Sequence, residues 1–164
     1  MGYTHYYRYA PNHPSFRAGW PQMVEDAQRI IDRVRGAGVV ISGLGDAPPV
    51  SIDRIAFDGD GEAELTGESF VITPTLADLN SWEYDEHGVA RVFCKTERFP
   101  YDLAVTAVLL RCRTIAPDVF ALRSDGDWTD DWAQEATYPA TGLNTRDLVA
   151  ELFGDRPLES PFTD

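Results

Sequence analysis

The sequence is poor in positive charge. Its 164 residues include 14 basic and 27 acidic side chains, which give a formal net charge of −13. Lys95 is the one lysine, so almost every base is an arginine. Phosphate backbones and anionic lipid headgroups bind clustered basic side chains, so this charge balance predicts neither a nucleic-acid partner nor a membrane partner. An acidic surface usually serves solubility.

Other features are also missing. The 2 cysteines, Cys94 and Cys112, have the spacing of neither a metal site nor a disulfide framework. The sequence contains no apolar run long enough to span a bilayer and no apolar segment typical of a secretion signal, so we expect a cytoplasmic protein with reduced thiols. Metal-binding, nucleotide-binding and serine-hydrolase motifs are absent as well, so no metal and no cofactor are predicted.

What is present predicts a folded domain. Hydrophobic residues make up 43% of the chain, which is enough for a packed core. Apolar periodicity predicts long helices over about 21–35 and 101–116, a capped helix over 144–154 and a short helix within 125–136. The fold class we expect is α+β, with a mixed sheet of about five to six strands, two long helices on one face and short C-terminal helices. Residues 1–154 would form one domain, and 155–164 an acidic tail.

Three segments resemble a known group of proteins. They are "MGYTHYY" (1–7), "FCKTERFPYD" (93–102) and "SDGDW" (124–128). They are similar to segments of a family of small uncharacterised proteins encoded by bacteria and their phages. Members begin with an MGYTHYW-like segment and carry an FCKTxxxPYD-like segment; Tyr7 stands here where tryptophan is usual. The resemblance implies no activity, but it indicates that the three segments belong to one site.

Three residues of these segments are candidates for catalysis. Cys94 lies just before a predicted helix, whose N-terminus lowers the pKa of a nearby thiol. His5 would act as a general base for that thiol or for a water, and Asp102 would orient the imidazole. Each residue also has a structural interpretation. Cys94 would be a small core residue, His5 a hydrogen-bonded core histidine, and Asp102 a carboxylate favoured at a helix start.

The same segments predict a ligand pocket. Aromatic rings and a few polar groups would bind a small molecule. The predicted ligand-binding residues are Tyr3, Tyr6, Tyr7, Arg8, Lys95, Thr96, Tyr101 and Asp125. We therefore expect a protein that binds a small polar or nucleotide-like molecule, with hydrolysis or group transfer through Cys94 and His5 as an open extension. The alternative is a non-catalytic acidic protein, such as an inhibitor or a phage-related accessory factor, that works by surface contact. The oligomeric state stays open.

Overall fold

The structure, a computed structural model, describes residues 2–135 and 141–163 and confirms the α+β class. Met1, 136–140 and Asp164 lie outside the described residues, as does the end of the short helix predicted within 125–136. In chain order the elements are β1 (Thr4–Tyr9), α1 (Pro14–Gly36), β2 (Ser42–Gly43), β3 (Ile55–Asp58), β4 (Phe70–Ile72), β5 (Ala90–Lys95), α2 (Asp102–Ile115), β6 (Phe120–Ser124) and α3 (Thr145–Phe153). Short 3₁₀ turns cover Leu76–Asp78 and Asp131–Ala133.

The strands form two antiparallel sheets, not the single mixed sheet predicted. One sheet has the order β5-β1-β6 and the other the order β2-β3-β4. Both β5 and β6 run antiparallel to β1. They therefore point in the same direction, and α2 carries the chain from one edge of the sheet to the other. The first strand of the chain thus lies between two strands from its second half.

Two tyrosines of β1 explain why the sheets pack together without merging. The Tyr7 hydroxyl donates to the Val71 carbonyl at 2.7 Å, and the Tyr9 hydroxyl accepts from the Thr73 amide at 3.1 Å. Backbone groups at and after β4 are therefore satisfied by core side chains, which removes the need for a further paired strand. Both tyrosines lie on β1, and their hydroxyl groups reach across to the second sheet.

The first helix begins earlier than predicted. His13 caps it, since its Nδ1 accepts from the Ser15 amide at 3.1 Å, and Pro14 takes the first helical position. Pro21, predicted to open the helix, lies inside it. The last helix starts where its capping pattern indicates: the Asn144 side chain accepts from the Asp147 amide, and Gly154 ends the helix at φ 70°.

The helices pack together: α2 contacts both α1 and α3, and α1 also contacts α3 through the Arg33–Glu151 ion pair. Part of the predicted tail lies against the domain. The Thr163 amide donates to the Leu122 carbonyl at 2.8 Å, and the Phe162 ring packs edge-on against Trp132 with 4.9 Å between centroids. Among the described residues, no helix combines the length and the apolar character that crossing a bilayer requires.

Candidate functional site

The topology brings the three resembling segments together. His5 on β1 pairs with Cys94 on β5 along one edge and with Ser124 on β6 along the other. Side chains of directly paired residues point to the same face of a sheet, so the three side chains lie side by side on the inner face. Asp102, the first residue of α2, approaches this row from the helix layer.

His5 is the centre of a buried polar network. The residue is 0% exposed, its Nε2 lies 2.6 Å from Asp102 Oδ1, and its Nδ1 lies 2.8 Å from Ser124 Oγ. The rings of Tyr3 and Trp132 pack edge-on against the imidazole at 5.0 and 5.7 Å. A fully buried polar ring needs a partner at both nitrogens, and here both have one.

The hydrogen-bond partners of Ser124 indicate where the protons of the Ser124–His5–Asp102 network lie. Its Oγ accepts from the Gly126 amide at 2.9 Å and from Trp132 Nε1 at 3.3 Å, so both lone pairs are used. The Ser124 hydroxyl proton therefore points to His5 Nδ1, which accepts it. The other nitrogen, Nε2, then carries the ring proton and donates it to Asp102. Every polar group of the row is satisfied by an imidazole in this tautomer.

Ser124, His5 and Asp102 have the residue types of a hydrolytic triad but not its arrangement. In a triad, a serine with a free face approaches substrate and the carboxylate holds Nδ1. Here the carboxylate is on Nε2 and the serine is on Nδ1, held by two further donors. The serine is thus fixed within the network, and the polar group at the network's outer end is the carboxylate.

Asp102 connects this network to a cavity. Its Oδ1 accepts from His5 and also from the Thr96 hydroxyl at 2.5 Å. Within the part of the chain that the structure describes, Oδ2 has no hydrogen-bond partner, and the side chain is 22% exposed. One carboxylate oxygen is therefore held from behind, while the carboxylate lines a cavity of about 290 Å³ that we call the Tyr3 cavity. Its lining residues are Tyr3, Leu65, Arg98, Phe99, Pro100, Asp102, Leu103, Asp131, Gln134, Glu135 and Thr145.

A strained turn shapes the cavity wall. Glu97 and Arg98, between β5 and α2, both have left-handed backbone at φ 56° and 63°, a conformation that costs residues other than glycine free energy. This turn brings the Arg98 guanidinium over the Tyr3 ring at 3.9 Å and to Asp131 Oδ1 at 2.7 Å. Burial raises the pKa of the Tyr3 phenol well above its usual range, so the phenol stays neutral.

Cys94 belongs to the core. The thiol is 0% exposed and donates to the Glu68 carbonyl at 3.4 Å, beside the Tyr101 hydroxyl that donates to the same carbonyl at 2.6 Å. Burial raises the pKa of the Cys94 thiol to about 12, which disfavours the thiolate that nucleophilic attack requires. The N-terminus of α2 therefore does not activate this thiol.

The burial of both thiols has a direct test. Burial also raises the pKa of Cys112, on α2. We expect neither thiol to react with a thiol reagent such as DTNB in the folded protein at about pH 8, and both to react once guanidinium unfolds the chain. The pKa of Cys94 is higher in the folded chain than in the unfolded chain. The free energy of unfolding should therefore fall as the pH rises from about 9 towards about 12, where only the unfolded chain ionises this thiol. Fast reaction of the native protein, at the rate of free cysteine, would contradict the burial described here.

The other predicted ligand-binding residues separate into groups. Tyr7 and Tyr101 are core residues at 1% and 0% exposure, with hydroxyls bonded to backbone carbonyls, so they leave no phenol for a ligand. Asp125 accepts from the Thr4 amide at 3.0 Å and ties β1 to the turn after β6. Tyr3 and Thr96 lie at the cavity or directly behind it. Tyr6, Arg8 and Lys95 point to the opposite face of the sheet, away from the Tyr3 cavity.

Three members of the site were not anticipated. Ser124 alternates with Phe120 and Leu122 along β6, which was a signal for the inner face. Arg98 and Asp131 gave no such signal, because neither a glycine nor an asparagine marks the left-handed turn and the two residues are distant in sequence. Within 2–135 and 141–163, no group of three histidine, cysteine or carboxylate side chains is placed to hold a metal ion.

Comparison with known proteins identifies no family for this chain. No protein-family model matches the chain, and no curated protein or solved structure matches it significantly. The resemblance of its three segments to small bacterial and phage-encoded proteins therefore stays a prediction, and the site has to be interpreted from its own chemistry.

Proposed function

We propose that the protein binds a small polar molecule in the Tyr3 cavity, with Asp102 as the main acceptor. The observation that carries this proposal is the asymmetric carboxylate. Its Oδ1 is held by His5 and Thr96, and its Oδ2 has no partner among the described residues. Preorganising one oxygen in this way fixes the direction of the other, which lowers the cost of ordering the side chain on binding.

The charges around the cavity indicate what kind of molecule fits. Asp102, Asp131 and Glu135 supply three carboxylates, and Arg98 supplies one guanidinium that is already bonded to Asp131. An amine, an amidine or a ring with N–H donors complements such a site, whereas a phosphate would meet more repulsion than attraction. A nucleotide-like ligand would therefore have to present its base to Asp102. The volume of about 290 Å³ limits the ligand to a small molecule.

Hydrolysis or group transfer through Cys94 and His5 is not part of this proposal. Neither side chain lines the Tyr3 cavity, and both are 0% exposed. His5 and Ser124 act through Asp102, so they are positioning residues. If chemistry takes place in the cavity, Asp102 is the group that would touch the reacting molecule.

Thermal shift measurements with a panel of polyamines, amino acids, guanidines and nucleosides test the proposal. A ligand present at 100 times its dissociation constant stabilises a protein by about 2.7 kcal/mol. We expect at least one amine or N–H donor to raise the Tm of the wild-type protein. Asp102→Asn, which keeps the shape of the side chain but removes its charge, should weaken that ligand about tenfold or more.

The matched control is Asp46→Asn, which removes one carboxylate from an exposed loop residue. It should leave ligand binding unchanged. If no compound stabilises the wild type, or if Asp102→Asn and Asp46→Asn respond equally to every compound, the cavity is not a ligand site. That result would favour the alternative, an acidic protein that works by surface contact.

A further inference from the structure

The outer face of the β5-β1-β6 sheet concentrates positive charge. Residues alternate between faces along a strand, so the side chains that point away from the His5 row share one surface, with no covering helix among the described residues. None of the three strands contains an acidic residue. We call this surface the basic face. Its residues are Tyr6, Arg8, Arg91, Phe93, Lys95 and Arg123.

The charges at the centre of the basic face are uncompensated. Arg91 and Lys95 have carboxylates of Asp85 and Glu97 at 3.4 and 3.9 Å. In contrast, no carboxylate within the described ranges lies within 4.0 Å of the basic nitrogens of Arg8 or Arg123. The Debye length at physiological ionic strength is about 8 Å, so a phosphate beside Arg8 and Arg123 would interact mainly with these two guanidinium groups and little with acidic side chains farther away.

Two aromatic rings lie between these bases. Tyr6 and Phe93 are cross-strand partners, and Phe93 is 58% exposed in the middle of its strand. The Arg123 guanidinium stacks over the Tyr6 ring at 4.5 Å. A cleft of about 290 Å³ runs along the same face and is bounded by Thr163 of the C-terminal segment. An exposed phenylalanine beside stacked arginine is a platform on which a flat ring can stack.

We propose that the basic face binds single-stranded nucleic acid. The phosphates would contact mainly the guanidinium groups of Arg8 and Arg123, and one nucleobase would stack on the exposed Phe93 ring, as nucleobases stack on the aromatic sheet surfaces of many RNA-binding domains. A duplex keeps its nucleobases stacked inside and offers none to the exposed Phe93 ring, so a single strand fits better. The sequence-based expectation of no nucleic-acid partner rested on net charge, whereas the fold separates the charges in space.

Fluorescence anisotropy with labelled oligo(U) and oligo(dT) probes tests the inference. We expect binding by the wild-type protein at about 50 mM salt and a loss of affinity as salt increases. Phe93→Ala should weaken binding about tenfold by removing one stacking platform. Arg8→Gln should lower the slope of log K against log salt by about 0.7, the value of one phosphate contact on a single strand.

Two controls match these variants. Ile52→Ala removes a side chain that is 58% exposed, as Phe93 is, but lies outside the sheet, and Arg17→Gln removes an exposed arginine of α1. Neither should change the affinity. Comparing the RNA and DNA probes identifies the type of strand.

Several outcomes would overturn the inference. One is the absence of binding at protein concentrations up to about 100 µM, which is the weak limit of non-specific affinity. Another is equal affinity of Phe93→Ala and the wild-type protein. Stronger competition by duplex than by single strand would do the same. Sedimentation measurements test a further contradicting outcome. Self-association that Phe93→Ala abolishes would make this face an interface between two copies of the chain.

Discussion

Gly126→Ala is expected to lower the free energy of unfolding by about 2–3 kcal/mol, at the upper end of the range for overpacked sites. A Cβ on Gly126 would lie 1.9 Å from the Tyr3 hydroxyl oxygen and 2.8 Å from its Cζ. It would also lie 3.0 Å from the Asp131 Cβ, so the added methyl group would be crowded by a second side chain. Because the Gly126 amide donates to Ser124, moving this backbone would also disturb the His5 network. Urea unfolding followed by tryptophan fluorescence measures the change.

A double-mutant cycle separates this clash from any general effect of the substitution. In a Tyr3→Ala background the obstructing ring is gone, so Gly126→Ala should cost much less, with a coupling energy of about 1–2 kcal/mol. Gly61→Ala is the matched control, since a Cβ there meets nothing within 4 Å. It should change stability by less than about 0.5 kcal/mol. Equal costs for Gly126→Ala in both backgrounds would show that the close approach to Tyr3 is not what limits this position.

His5→Ala is expected to destabilise the protein by about 3–4 kcal/mol. The substitution removes the partner of Asp102 and of Ser124 at once and leaves a void between the Tyr3 and Trp132 rings. Buried polar groups that lose a partner keep their desolvation cost, which is why the loss exceeds that of an ordinary hydrogen bond. The same unfolding experiment gives the value.

His5→Gln tests the cause, because its amide can still donate towards Asp102 and so should recover about 1 kcal/mol. His87→Ala removes a histidine whose side chain is 77% exposed, so the change should stay within about 0.5 kcal/mol. A small effect of His5→Ala, comparable to that of His87→Ala, would mean that the network around the imidazole does not hold the site together.

The position of the site was partly predictable from sequence. The alternation in "FCKT" puts Cys94 and Lys95 on opposite faces of β5, and the start of α2 places Asp102 near the end of β5. Pairing of β1 with both β5 and β6 could not be read from these local patterns, because it joins residues that are distant in sequence. For the same reason Ser124 was missed as the second partner of His5.

The interpretation of the tyrosines failed for a related reason. From sequence, Tyr6, Tyr7 and Tyr101 were equally plausible in a ligand pocket. Burial separates them: Tyr7 and Tyr101 fill the core with hydroxyls bonded to carbonyls, and Tyr6 lies on the outer face under Arg123. Side-chain period identifies which residues share a face, but it does not state which face the helices cover.

The sequence by itself determined the α+β class and the capped end helix, because hydrophobic periodicity and capping act over a few neighbouring residues. Only the tertiary structure decided that the strands divide into two sheets and that His5 joins Ser124 to Asp102. It also decided that an acidic chain carries a basic face. Net charge is a sum over all residues, whereas binding depends on which charges lie within a Debye length of one another, and that distance is set by the fold.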